Sequence, residues 1–549
     1  MNTANQFDVA IMGAGIGGSL LATVLSDQGL RVLLLDAATH PRFVIGESTV
    51  RHTLRLVKIM AEHYDIEELR HVGSGENIRK YVTSACGEKR NFGFIYHRMG
   101  QQHNPAEANQ LVIPPFREGY EAHLFRQDID AYLYQAALHH GTVGMQNTRV
   151  SNVDIDGNGV TLTTDKGETL TASYLVDAAG FRSPLSDKFD LRDNPPQART
   201  HSRAIFTHMI DVKDFDELSG NIHGQPEKWY SGTCHHIFDG GWMWIIPFDN
   251  HPESTNPLVS VGLQLDSRLY PKPADMTPQE EWDMWMKKLP SVGAQFKDAK
   301  IVRPWISTGR IQYTSKKTVG DRWCLLAQAS GNIDALFSRG LANTMEAINA
   351  LIPMILGAVK DNDFRAERFQ YLEELQQNNI KHNDLLVWGA YVSFRDYELW
   401  NAWFRIWALG VGIGDLRLAS IYRRYEKTHD DAILPEKEPP MGLFCSNHPG
   451  FKKVFDEGVR VMEQVEAGTL DTKAATKQIM SLIQNASFTS PAVGLADPTK
   501  RYINAGTFSS IIKSTVWALT SAPPEMKGML LGAVRGARHN KETELAMAG

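Results

Sequence analysis

Residues 7–36 restrict the fold of this chain more than any other stretch. Phe7-Asp8-Val9-Ala10-Ile11-Met12 is an apolar run of strand formers that meets Gly13-Ala14-Gly15-Ile16-Gly17-Gly18, a G-x-G-x-x-G turn. Ser19 to Leu25 follow at helical spacing, and a second apolar run, Leu30 to Leu35, ends on Asp36. Strand, glycine turn, helix, strand and acid in this order make the dinucleotide-binding fingerprint, in which the context matters more than the glycines. Gly13 makes the tight turn, Gly15 lets backbone N–H groups approach a pyrophosphate, and Gly18 lets helix and strand pack closely. The helix N-terminus then turns its partial positive charge toward the phosphates. Asp36, 23 residues after Gly13, is spaced to take a ribose hydroxyl.

Two later segments repeat the theme of an apolar strand ending in small residues. Tyr174 to Asp177 runs into Ala178-Ala179-Gly180, and Trp323 to Ala327 leads through Gln328 to Gly340 into a long helix. Three separated nucleotide-type segments, at 7–36, 174–183 and 323–340, suit FAD better than a nicotinamide nucleotide. Between them, 204–210, 234–238, 242–247 and 259–265 have strand character. The expected architecture is α/β: a Rossmann-like FAD-binding lobe over 1–199 with 311–427, an inserted β-rich substrate lobe over 200–310, and a helical C-terminal region over 428–549. The stretch 428–441, rich in Asp, Glu and Pro, reads as the linker. Residues 80–85 and 91–96 read as paired strands joined by a turn at 86–90, and Phe125 opens a helix that carries Arg126.

Composition narrows the classes of partner. The 549 residues carry a net charge of -6 and no basic run with interleaved aromatics, so no nucleic-acid partner is expected. Cys86, Cys234, Cys324 and Cys445 form no C-x-x-C pair, which fits a reducing compartment and predicts no metal site. The most apolar long segment, Ala347 to Val359, is too short to span a bilayer and contains Pro353. A cytoplasmic protein with no leader and no membrane partner is the expectation.

Further motifs carry a resemblance to a known family. They are the fingerprint, Pro41-Arg42-Phe43 with Gly46-Glu47-Ser48, Trp242-Met243-Trp244-Ile245-Ile246-Pro247, and Asp334 through Gly340. With them, residues 5 to 425 resemble the flavin-dependent halogenases, within the wider aromatic-hydroxylase-like FAD superfamily. The stretches 240–257 and 337–348 are most similar to the subgroup acting on phenolic polyketides, of the tetracycline-chlorinating kind. The resemblance implies reduced FAD, O2 and chloride or bromide as reactants, giving hypohalous acid that reaches a lysine beside an electron-rich ring. Lys89 aligns with that lysine, with Lys80 as the fallback. Ser338, Arg339 and Gly340 align with the halide loop. Trp242 and Trp244, on one face by the period of two, align with the wall between flavin and substrate. Gly13, Gly15, Gly18, Asp36, Arg42, Ser48, Arg126, Asp334 and Gly340 would hold the cofactor. The implied partners are a separate NAD(P)H-dependent flavin reductase and a small aromatic molecule, and a homodimer is compatible with the reading.

Departures from the family pattern shape the expectation further. Tryptophan-type members have a glutamate just before the loop serine, where this chain has Phe337, which points away from free tryptophan and toward a phenol. Ala327-Gln328-Ala329 replaces a Gly-Asp-Ala element, which implies weaker FAD retention. His235 and His236 are both eligible as a base, or as plain strand residues. Two alternatives stay open on the residues alone: an FAD-dependent aromatic hydroxylase, and a flavin-binding subunit without turnover.

Overall fold

The fingerprint folds as its spacing requires. The computed structural model describes residues 6–115, 119–220, 222–429 and 448–532. In it the strand Gln6–Met12 lies parallel between Val32–Leu35 and Thr169–Asp177, and the helix Ile16–Asp27 starts directly from the glycine turn. Trp323–Leu325 pairs parallel with Thr169–Asp177, so the three nucleotide-type segments become neighbouring strands of one eight-stranded sheet. Alternation sorts the side chains of the first strand to two buried faces. Val9 and Ile11 pack with the helix Ile16–Asp27, while Ala10 and Met12 pack with Leu162, Leu175 and Leu325.

A nine-stranded sheet forms the second layer system. It runs Lys300–Ile301, Ser202–Ile210, Val259–Asp266, Gly241–Pro247, Thr233–Phe238, Asn91–Tyr96, Ala108–Val112 and Tyr502–Ile503, with Ile306–Arg310 also on Ser202–Ile210. A lobe drawn at 200–310 therefore holds only part of this sheet, because residues 91–112 and 502–503 complete it. Trp242, Trp244 and Ile246 share one face with Phe92 and Phe94, and Met243 and Ile245 take the other.

The chain around Lys89 departs from the sequence reading. Lys80 lies on a wide helical turn, Ile78–Val82, and is exposed, so 80–85 is no strand. The expected turn at 86–90 contains the strand Gly87–Lys89, paired antiparallel with Glu121–His123 as a ribbon separate from both large sheets. Gly87 makes this placement feasible, since a Cβ there would lie 2.3 Å from the Pro247 carbonyl oxygen. Gly-Glu-Lys resembles a turn by composition; tertiary packing makes it a buried strand.

Helices close the structure. Gly340–Asp361 tolerates Pro353 within its length and packs against Arg51–His63, Ile16–Asp27 and Gln370–Ser393. It is the one described helix long and apolar enough to cross a bilayer, yet its apolar window is 56% buried inside the protein. Tyr397–Thr428 presents Trp400, Phe404 and Trp407 to the second sheet. The C-terminal region, apart from the short strand Tyr502–Ile503, is mainly helical where described, with Pro449–Glu466, Thr472–Gln484 and Phe508–Thr520. The linker expected at 428–441 falls, from residue 430 on, outside the described residues.

Candidate active site

A cavity of about 810 Å³ runs from the fingerprint to the second sheet. At one end it is lined by Gly13, Gly15, Gly18, Asp36, Arg42, Arg126 and the Ala178–Gly180 turn, and at the other by Thr233, His235, Trp242, Trp244, Asp334, Ser338 and Gly340. Gly13 and Gly18 cannot be exchanged. Gly13 has φ +102°, with a virtual Cβ 2.5 Å from the Ala178 carbonyl oxygen, and a Cβ on Gly18 would sit 1.9 Å from the Gly13 carbonyl oxygen. Asp36 accepts from the Ala14 N–H at 2.8 Å and from Arg42 at 3.0 Å, tying the acid to the turn. Arg42 keeps a buried Nε without a partner. Arg126 forks onto Asp130, at 2.7 and 3.0 Å, and donates to the Ile45 and Gly46 carbonyls, which fixes the loop before Ser48. A glycine cradle at a helix N-terminus, a ribose-distance acid and an orphaned guanidinium N–H fit the ADP half of FAD.

The far end is a wall of indoles. The Trp242 and Trp244 ring centroids are 5.7 Å apart, and both rings line the cavity. Trp244 Nε1 donates to Ser260 Oγ at 3.2 Å, and Trp242 Nε1 donates to Asp334 Oδ1 at 3.2 Å. Asp334 also accepts from the Leu336 N–H (3.0 Å), Ser202 Oγ (2.6 Å) and the Tyr391 hydroxyl (2.9 Å). Its carboxylate lines the cavity, but its acceptor positions are committed to protein donors. The residue predicted to hold cofactor is thus built as the pin between the indole wall and the 334–340 loop.

That loop splits the predicted halide set. Ser338, at φ +53°, and Gly340 line the cavity, and Gly340 opens the helix Gly340–Asp361, whose first-turn N–H groups have no intrahelical acceptors. The Arg339 side chain goes elsewhere: it is 2% exposed, 2.8 Å from His52 Nδ1 and 3.9 Å from Glu346. Its guanidinium faces the helix Arg51–His63 and does not line the cavity. Phe337 stacks on Trp407 with centroids 4.9 Å apart. Gln328, in place of the family's acid, lines the cavity.

Lys89 is fully buried. Its Nζ donates to Ser48 Oγ and to the Thr49 carbonyl, each at 2.7 Å, reaches Ser338 Oγ at 3.4 Å, and lies 3.3 Å from the centre of the Phe92 ring. Ser48 and Ser338 line the cavity and bond each other at 3.1 Å, so they stand between the cavity and the amine. Burial holds the Lys89 ammonium well below the ordinary lysine range, and the nearby Glu121 carboxylate pulls the other way. Behind the lysine, Phe92, Phe94, Phe337, Trp400 and Trp407 make a continuous aromatic box. His235 stacks on Phe94 at 4.5 Å and donates through Nδ1 to the Gly93 carbonyl; burial pushes it down to about 3, so it is neutral. His236 points to the opposite face, against His97 and Gln295.

Sequence reasoning missed Thr233, His123 and Glu121. Ser48 Oγ lies 2.8 Å from Thr233 Oγ1, and Thr233 Oγ1 lies 3.0 Å from His123 Nε2. Their only local signal is a polar residue within an apolar strand, as in Thr-Cys-His-His and Glu-Ala-His-Leu.

Fold and cavity define a dinucleotide-binding flavoprotein that keeps a buried amine behind the end of its cavity far from the fingerprint. A family described as FAD binding domain matches residues 6–262. The monodechloroaminopyrrolnitrin halogenase PrnC of Pseudomonas fluorescens is 43% identical over 95% of this chain and 94% of its own. The tetracycline 7-halogenase of Kitasatospora aureofaciens is 42% identical over 97% and 96%. Among solved structures, halogenase PltM in complex with phloroglucinol and FAD superposes with a TM-score of 0.87 at 34% identity, covering 90% of this chain and 99% of that one. The chain belongs to the flavin-dependent halogenases. It is an FAD-dependent enzyme that halogenates an aromatic substrate.

Proposed function

We propose that this enzyme places chlorine or bromine on an electron-rich, phenolic ring of polyketide type by way of Lys89. The observation that carries the reading is the position of Lys89: a buried amine, separated from the cofactor cavity by two serine hydroxyls and backed by an aromatic box. Bound, reduced FAD with O2 and halide supplies hypohalous acid on the cavity side. The remaining roles fall to the chain. Gly13, Gly15, Gly18, Asp36 and Arg42 hold the ADP half, and Arg126 shapes the loop beneath it. The N-terminus of Gly340–Asp361, with the Ser338–Gly340 backbone, favours halide. Ser48 and Ser338 hand hypohalous acid to Lys89 by hydrogen bonding. Trp242 and Trp244 keep the arene off the flavin, which favours halogenation over direct hydroxylation. Burial disfavours the ammonium and so eases its conversion to the neutral amine, the form that bonds halogen.

Phe337 supports the substrate class. With an apolar ring where an acid would stand, the substrate must bring its own activating group, and a phenol oxygen does so. The relatives' names span a tetracycline and an aminopyrrolnitrin, and the solved relative holds phloroglucinol, so an activated ring is the shared denominator. A separate reductase supplying FADH2 in the cytoplasm completes the reading.

The test is mass spectrometry of aromatic polyketide phenols incubated with the enzyme, FADH2, O2 and chloride or bromide. Halogenated product is expected, and Lys89→Ala abolishes it while flavin oxidation continues. Hydroxylated product formed without halide would overturn the proposal.

A further inference from the structure

The hydrogen bonds around Lys89 have a direction. The Pro247 carbonyl can only accept, so His123 Nδ1, 2.9 Å away, carries the hydrogen. Burial pushes His123 down to about 3, with the Lys89 charge a further cause, so the ring is neutral and Nε2 is a bare acceptor. Thr233 must then donate to Nε2, at 3.0 Å. Having spent its hydrogen, Thr233 accepts from Ser48, at 2.8 Å, and Ser48 accepts from Lys89, at 2.7 Å. Each hydroxyl donates once, and every link points from the amine toward the imidazole. Lys89, Ser48, Thr233 and His123 are each at most intermediate in exposure, and Thr233 and His123 are essentially inaccessible. Lys89 and His123 ride on the same ribbon, where Lys89 pairs with Glu121 and Gly87 with His123.

We propose that Ser48, Thr233 and His123 form a proton wire that stores the proton Lys89 must give up while its nitrogen carries halogen. This rests on the reading of Lys89 as the halogen acceptor. In the loading step a Lys89 ammonium proton passes to Ser48 as Ser48 passes its own to Thr233 and Thr233 passes its own to His123 Nε2. The freed lone pair attacks the halogen of hypohalous acid. The N–X bond forms, the X–O bond breaks, and the leaving hydroxide takes one N–H proton to become water. In the delivery step the arene attacks the halogen, the N–X pair stays on nitrogen, and the stored proton returns along the wire to make the amine. The ring then loses its proton to that amine, which restores the ammonium. Halogen stays formally positive until the carbon bond forms, so no further oxidant enters.

The surroundings suit one mobile charge. Facing the wire are Glu121 on the ribbon, itself shifted up by burial, and His235 on the Thr233–Phe238 strand; Arg51 and Arg55 lie beyond Glu121. Burial is the larger cause that lowers His123 and the Lys89 charge adds to it, so a proton leaving Lys89 removes the second of these. Thr233 and His123 touch neither arene nor halogen in this scheme; they act through Lys89 as positioning residues.

The full-length enzyme with FADH2 is assayed for halogenated product per FADH2 oxidised, from pH 6 to 9. Thr233→Val breaks the wire, Thr233→Ser keeps it, and His123→Gln keeps an acceptor that cannot take the proton. Thr233→Val and His123→Gln should lose at least tenfold near pH 7 and recover toward pH 9, where hydroxide can take the proton directly; Thr233→Ser should stay near wild type. FAD affinity, read by fluorescence, should hold in all three. Thr233→Val at wild-type yield, Thr233→Ser as impaired as Thr233→Val, or His123→Gln at wild-type yield overturns the wire. Nitrogen-15 histidine NMR gives a readout independent of turnover: His123, assigned by its loss in His123→Gln, should show Nδ1–H, and Nε2–H overturns the direction. Product surviving in Lys89→Ala would instead remove the underlying reading of the lysine.

Discussion

Asp334 offers a test that separates holding the fold from holding the cofactor. Its carboxylate receives four protein donors, from Ser202, Tyr391, Trp242 and the Leu336 backbone, and it is 2% exposed. Hydrogen bonds to a charged acceptor are worth ~1.5–3 kcal/mol each, and a buried donor left unpaired costs ~1–3 kcal/mol. The full loss is not expected in Asp334→Ala. The space left by the carboxyl admits water, which can accept from the Ser202 and Tyr391 hydroxyls in its place. The Trp242 indole and the Leu336 N–H are less adaptable, which sets the loss at about 3–5 kcal/mol. Asp334→Asn keeps a carbonyl oxygen for those two donors and should cost under about 2 kcal/mol. The assay is urea denaturation of the FAD-free protein beside FAD affinity. A pin role predicts that the midpoint of the FAD-free protein falls strongly in the Ala variant. A purely cofactor-binding role predicts weak FAD binding with an unchanged midpoint, and a stability loss below about 1 kcal/mol would refute the bond accounting.

Two further predictions concern the same end of the cavity. Gly262→Ala would put a Cβ 2.1 Å from the Trp244 ring, so the indole must tip out of the wall; a destabilisation of ~1–3 kcal/mol, a shifted tryptophan emission and less product per flavin oxidised are expected, and unchanged coupling alongside a shifted emission would dissociate the wall from selectivity. Lys89→Met removes a charge that burial disfavours; because the folded lysine ionises below its unfolded value near ~10.4, the penalty is complete below the folded pKa and fades as pH rises toward the unfolded one, at ~1.4 kcal/mol per unit of depression. The Met variant should therefore lead wild type in urea midpoint at pH 6 by more than at pH 9.5, while making no halogenated product, and a pH-independent gap would contradict a depressed lysine.

Sequence legibility follows how local the determinants are. Gly13, Gly18 and Asp36 were readable because turn, helix start and ribose acid lie within thirty residues and each has its own steric or electrostatic reason. Trp242 and Trp244 were readable because a period of two suffices to put them on one face. Lys89 could be located by resemblance, but its environment could not be read: Gly87–Lys89 is three residues long, and its partner strand lies more than thirty residues away. Composition argued for a turn there, and the Pro247 backbone beside Gly87 made it a buried ribbon. Asp334 and Arg339 sit in the expected loop, yet rotamer direction gave one to the indole wall and the other to Arg51–His63. No periodicity encodes the meeting of Ser48, Thr233 and His123, which come from three distant parts of the chain.

The aromatic box also imposes an order of assembly. Lys89 is about ninety residues into the chain, and the fingerprint is complete well before its midpoint. The rings that close the space behind the lysine belong to Tyr397–Thr428, with Trp407 against both Phe92 and Phe337. A growing polypeptide that has already shaped its cofactor cradle still has a hydrated, charged lysine at this position. On the proposed role of Lys89, the burial that eases loss of its proton arises only when the late helices dock, so an incomplete or proteolysed chain that can still hold flavin would lack a halogen acceptor.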